Sequence, residues 1–208
     1  MNSADLHAGA TMTTLQKFNP ARCAVLAMDL QESILGFLQD PSALLSTVRS
    51  VIDAVRQAGG QASYVRVGFL PADVGAFPEH SAMGARIRAA GPNMHADSPM
   101  TAVHRAVAPR PGDIVVRKTR VGAFSTTDLH RQLQAAAVDT LVLTGVHTSG
   151  VILSTVREAH DLDYRVIVLA DGCADPDTQV HAFLVDRIFP KQASVCTAAA
   201  LRGMLTGH

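Results

Sequence analysis

Asp139-Thr-Leu-Val-Leu-Thr-Gly-Val-His-Thr-Ser-Gly-Val-Ile-Leu-Ser-Thr155 is the stretch that decides how this 208-residue chain is read. It begins with an apolar, β-branched run, Leu141 to Leu143, the mark of a strand buried on both faces. The chain then turns through Gly145 and Gly150, after which Val151, Ser154, Thr155 and Ala159 start a helical spacing. A strand that stops at a glycine turn and feeds a helix is where an α/β protein keeps its chemistry. The turn's N–H groups and the helix N-terminus both face the crevice above the sheet. No cysteine stands in that turn.

The same alternation extends in both directions. Apolar runs predict strands at 23–28, 62–67, 113–117, 165–169 and 193–196. Helical spacing covers 42–58, with apolar residues at 44, 45, 48, 51, 52 and 55, Pro41 near its start and Gly59-Gly60 past its end. Further helices are expected over 83–89, 127–137, 149–162, 177–189 and 198–205. Alternating strands and helices imply an α/β fold of three layers, with parallel strands, right-handed crossovers and ligands at the strands' carboxyl ends. Residues 68–111 hold six prolines and read as a lid or substrate-binding segment. Residues 1–19 read as an N-terminal arm and 20–208 as one domain.

Bulk properties exclude several classes. Lys+Arg and Asp+Glu balance at 18 each, so neither nucleic acid nor a membrane surface is an expected partner. A net charge of zero favours self-association. No apolar run reaches the roughly 18–20 residues that span a bilayer, and the first 20 residues do not read as a signal peptide. Three widely spaced cysteines, Cys23, Cys173 and Cys196, form neither a disulfide framework nor a zinc pattern. A reduced, cytoplasmic protein is expected.

Residues that follow strands are the site candidates. Asp29 ends the first strand; after so apolar a run its carboxylate is poorly solvated, which raises its pKa and suits a general acid or base. A helix N-cap is the alternative. Lys118 ends the third strand, where it can pair with Asp29 or hold a substrate carboxylate, or stand as a solvated edge lysine. The Gly145 turn can present N–H donors to an oxyanion, or serve as an ordinary turn.

Asp, Lys and a glycine turn on three strand ends resemble the isochorismatase-like hydrolases. Asp29-Leu-Gln31 matches the family's D-x-Q. Arg117-Lys-Thr119, Ala123-Phe124 and Thr127-Asp-Leu129 match its K-x-x-x-x-A-F-x-x-T-D-L. Leu143-Thr-Gly-Val-His-Thr148 matches its L-x-G-V-x-T. The resemblance covers about 19–205. It implies a six-stranded parallel sheet, a cis peptide at Val146–His147 and a homodimer or homotetramer. It also implies a pocket turn formed by Gly145, Val146, His147, Thr148 and Gly150, with Gln31, Arg120 and Phe124 binding substrate.

The family's amidases carry a nucleophilic cysteine six residues after the motif glycine, where this chain has Val151. A valine cannot attack a carbonyl. The family's vinyl-ether hydrolases also lack the thiol; they need a proton donor and water. Asp29 and Lys118 are therefore the expected catalytic residues, acting on a small anionic substrate without a covalent step. A non-catalytic, ligand-binding relative is the alternative. Family nicotinamidases bind zinc through D-x-H, but Asp73 has no histidine two residues on, and His80, His95 and His104 are scattered. No metal and no cofactor are expected.

Overall fold

A computed structural model of the chain describes residues 17–206. The arm read over 1–19 lies, apart from its last three residues, outside them. Six parallel strands form one sheet in the order β3-β2-β1-β4-β5-β6. They are β1 (Cys23–Met28), β2 (Gln61–Val67), β3 (Ile114–Lys118), β4 (Thr140–Val146), β5 (Arg165–Ala174) and β6 (Ser194–Cys196). The chain adds β2 and β3 on one side of β1, then crosses to place β4 on the other. The order therefore reverses between β1 and β4, and a crevice opens at that point beyond the strands' carboxyl ends.

Each sheet face has its own core. Ala24, Leu26 and Met28 of β1 and Leu141 and Leu143 of β4 point to one face. They meet α5 (Leu129–Ala135), α6 (Leu153–Asp161) and the segment after α7 (Thr178–Phe183). The alternate residues Cys23, Val25, Ala27 and Val142 point to the other face, against α2 (Ser42–Gln57) and α8 (Ala198–Leu205). This is the period-two alternation of a strand covered on both sides. Helix α2 buries Leu44, Leu45, Val48, Val51, Ile52 and Val55, on the order of 10 kcal/mol of apolar transfer before entropy is counted. A third, smaller core of Val67, Phe69, Phe77 and Met94 sits under α3 (Pro71–Gly75) and α4 (Ala82–Ala90). It folds the proline-rich segment onto the end of β2.

Three local features depart from the sequence reading. A short helix, α1 (Glu32–Leu35), follows β1 directly; at one turn it is too short to show a period. The helix expected from 149 opens as a π-helical turn, Thr148–Ile152, before α6. Strand β5 runs on past 169: Leu143 pairs with Val168 and Gly145 with Cys173, so four residues on β5 stand against one, Thr144, on β4. The polar Asp171-Gly172 within this bulge hid the continuation. No described helix is long and apolar enough to cross a membrane.

Candidate active site

Asp29 lies one residue past β1, at the switch point. Its backbone takes φ 54°, the left-handed region that aspartate tolerates better than most residues. Its N–H donates to Val65 O at 2.9 Å and its C=O accepts from Gln31 N at 2.9 Å. The residue is 6% exposed. Lys118, the last residue of β3, reaches across β2 to place Nζ 2.7 Å from Asp29 Oδ2. The same ammonium donates to Val121 O at 2.6 Å, which leaves one N–H for a ligand. Asp29 Oδ1 has no partner among the described residues. Burial pushes the Asp29 carboxyl up to about 6 against the pull of Lys118. Asp29 is therefore not a helix cap, and Lys118 is not a solvated edge residue.

The second half of the site ends β4. Gly145 has φ +133°, and a Cβ there would meet Met28 O at 2.0 Å. Only glycine lets β4 pass this close to the end of β1. The Val146–His147 peptide is cis. Within the turn, Gly150 N and Ile152 N donate to His147 O, and Ser149 N donates to Asp175 Oδ2 at 2.8 Å. Those three N–H groups are occupied, so the turn is a poorer oxyanion hole than its glycines imply. Val151 is 2% exposed and packs in the core under α6. Burial holds the His147 imidazole below its ordinary pKa, against the pull of Asp175, and its ring meets Phe37 edge-on at 5.7 Å.

Two residues expected to bind substrate do other work. Gln31 is 0% exposed, and its amide is occupied: Nε2 donates to Val67 O and Thr101 O at 2.7 Å each, and Oε1 accepts from Val67 N at 2.8 Å. It clamps the end of β2 to the segment after α4. Phe124 stacks on Tyr164, just ahead of β5, with ring centroids 6.0 Å apart. That contact lies on the sheet face covered by α5 and α6. Arg120 is turned toward the small core, its guanidinium 4.1 Å from the centre of the Phe77 ring.

Other residues escaped the sequence reading. Asp175 also accepts from Ser149 Oγ at 2.6 Å, and Thr148 Oγ1 lies 2.8 Å from His181 Nδ1. Asp175 is the first residue after β5, so the rule that found Asp29 finds it once the bulge is recognised. Ser33 and Phe37 became visible only with α1.

The three cysteines are buried. Cys23 and Cys196 are buried, with thiols pushed up to about 12, mainly by burial. Cys173 is raised too, and its thiol meets Leu143 O at 3.6 Å. Among the described residues no group of three His, Cys, Asp or Glu side chains is placed to hold a metal ion. A cleft of about 470 Å³ lined by Phe69, Leu70, Val74, Ile87 and Met94 opens beside α3 but includes neither Asp29 nor Lys118. The buried ion pair, rather than the volume, marks the site.

Known proteins share this architecture. Residues 23–200 match the isochorismatase domain family. The chain is 30% identical over 182 residues to the isochorismatase family protein YecD of Escherichia coli O157:H7, covering 86% of this chain and 94% of that protein. It is 32% identical over 180 residues to a protein of Pseudomonas chlororaphis named "Probable isochorismatase", covering 86% and 84% respectively. The solved isochorismatase family protein of Burkholderia thailandensis superposes with a TM-score of 0.79 at 28% identity, over 93% of this chain and all of that one. With its six-stranded parallel sheet and its match over 23–200, this chain belongs to the isochorismatase family of hydrolases.

Proposed function

We propose that the chain hydrolyses a small anionic vinyl ether by proton transfer from Asp29, without a covalent enzyme intermediate. The observation that carries this reading is the Asp29 carboxyl: buried, paired with Lys118 at 2.7 Å, raised to about 6 and left with one oxygen unpartnered. At pH 7 a carboxyl with that value is roughly one-tenth protonated, enough to act as an acid. Protonation of the terminal vinyl carbon breaks the C=C bond and leaves a cation stabilised by the ether oxygen. Water adds to that cation, and its released proton returns to the Asp29 carboxylate. The hemiketal then collapses to a 2-oxo acid and an alcohol. The free N–H of Lys118 is suited to the substrate carboxylate, and the pairing keeps Asp29 fixed between proton transfers.

Thiol chemistry finds no support in the residues at the turn. Val151 occupies the position after the cis peptide where the family's amidases place a cysteine, and the chain's three thiols are buried in β1, β5 and β6.

The test is release of 2-oxo acid from 2-(cyclohexyloxy)acrylate, alongside a screen of amides and esters. Asp29→Asn should lower the rate at least about a hundredfold while the fold survives. Full activity in that variant would sink the proposal. Binding of the ether with no product from the wild-type protein would favour a ligand-binding relative instead.

A further inference from the structure

Lys118 is held by more than Asp29. Its ammonium, on a residue 2% exposed, donates to Val121 O at 2.6 Å. Val121 belongs to residues 119–128, between β3 and α5, which form neither helix nor strand. The direction of its carbonyl is set by a peptide plane shared with the N–H of Gly122. Whatever fixes Gly122 therefore aims that carbonyl at Lys118. Helix α6 supplies two side chains three positions apart, and so on one face. Thr155 Oγ1 accepts from Ala123 N and Glu158 Oε2 accepts from Phe124 N, each at 3.2 Å. Glu158 also rests on the glycine itself. A Cβ at Gly122 would meet Glu158 Oε2 at 2.2 Å and Oε1 at 2.6 Å, so only the missing side chain lets the carboxylate come this close.

We propose that Glu158 is a positioning residue for the Asp29–Lys118 pair: through Gly122 and Phe124 it keeps the Val121 carbonyl on the Lys118 ammonium, and thereby keeps that ammonium on Asp29. A lysine ammonium rides on a flexible four-carbon stem, and two fixed acceptors select one placement of it. Asp29 Oδ2 is one acceptor and Val121 O the other. Charge is not the route. The influences on the Asp29 carboxyl are burial and Lys118, with no direct contribution from Glu158. The effect of Glu158 therefore travels through the backbone of 121–124. The inference rests on the reading of this ion pair as the seat of the chemistry, but on no particular substrate.

The pair can be read in the full chain without substrate. Carbon NMR follows the titration of the Asp29 carboxyl, assigned by its loss in Asp29→Asn. Nitrogen NMR follows exchange of the Lys118 ammonium with water, assigned with Lys118→Met. Glu158→Ala should raise the Asp29 midpoint by about half a pH unit or more, because a loosened ammonium opposes burial less. It should also speed the ammonium exchange about tenfold. Glu158→Gln keeps an oxygen for Phe124 N and should titrate as the wild-type protein does. Gly122→Ala pushes the Glu158 carboxylate aside and should shift Asp29 as Glu158→Ala does; the two changes together should shift it no further. If Glu158→Ala does not fold, Gly122→Ala set against Glu158→Gln reads the same contact. A role in stability alone would weaken Glu158→Ala toward urea and leave the Asp29 midpoint and the Lys118 exchange unmoved. That result would overturn the proposal, as would a shift in Glu158→Gln equal to that in Glu158→Ala. Vinyl-ether turnover with an unmoved midpoint removes the Glu158 inference alone. A raised midpoint without turnover removes the hydrolytic reading alone.

Discussion

Replacing Lys118 with methionine keeps most of a buried side chain's volume and removes the ammonium from Asp29. In the wild-type protein the Asp29 carboxyl stands at about 6, against about 3.9 in an unfolded chain. The sign follows from that rise. Folding binds this proton more tightly, so the residue adds no penalty below about pH 4. The penalty grows between about 4 and 6 and is constant above 6, at about 3 kcal/mol. Lys118 is the influence that stops the rise at 6, by charge and by hydrogen bond. Without it Asp29 stays protonated to higher pH, and the penalty keeps growing by about 1.4 kcal/mol per pH unit above 6. Near pH 5.5 the variant should therefore be weaker by only about 1 kcal/mol, the lost bond to Val121 O. At pH 8 the gap should widen to about 4 kcal/mol. Urea unfolding followed by circular dichroism at pH 5.5, 7 and 8 reads the difference. A gap that is the same at pH 5.5 and pH 8 would refute the reasoning.

Three further outcomes follow from the geometry. Gly145→Ala would set a Cβ 2.0 Å from Met28 O at φ +133°, so it should abolish soluble folded protein; a well-folded variant of wild-type stability would contradict the close approach of β4 to β1. Gln31→Leu removes three hydrogen bonds, those to Val67 N, Val67 O and Thr101 O, and leaves Thr101 O with Arg66 Nη1 at 3.3 Å; it should cost about 3 kcal/mol in urea unfolding, and a change under about 0.5 kcal/mol would remove the clamp role. The three cysteines, all buried with raised thiols, should react with Ellman's reagent at pH 8 at least about a hundredfold more slowly in the folded protein than in urea. Prompt modification of one thiol in the native state would show an accessible cysteine instead.

The strands, their parallel arrangement and the position of the crevice were legible because buried strands announce themselves as apolar runs. Asp29 and Lys118 were legible because a charge at the end of such a run is conspicuous, and the structure pairs them at 2.7 Å. Gln31 and Phe124 were not. Sequence proximity to a motif does not reveal whether an amide is already bonded to backbone, or which ring an aromatic side chain stacks on. Asp175 was hidden by the bulge in β5, since a polar Asp-Gly pair reads as the end of a strand. Ser33 and Phe37 were hidden by the brevity of α1. The valine at 151 was plain in the sequence, while its packing under α6 needed coordinates.

The central claim is that Asp29 acts as a proton donor, and the pH dependence of turnover tests it most directly. For 2-(cyclohexyloxy)acrylate, kcat/KM should be level below about pH 6 and fall about tenfold per pH unit above it, because only the protonated carboxyl can donate. A rate that instead rises through pH 6 would make Asp29 a base, and one that ignores pH between 5 and 8 would remove it from the chemistry.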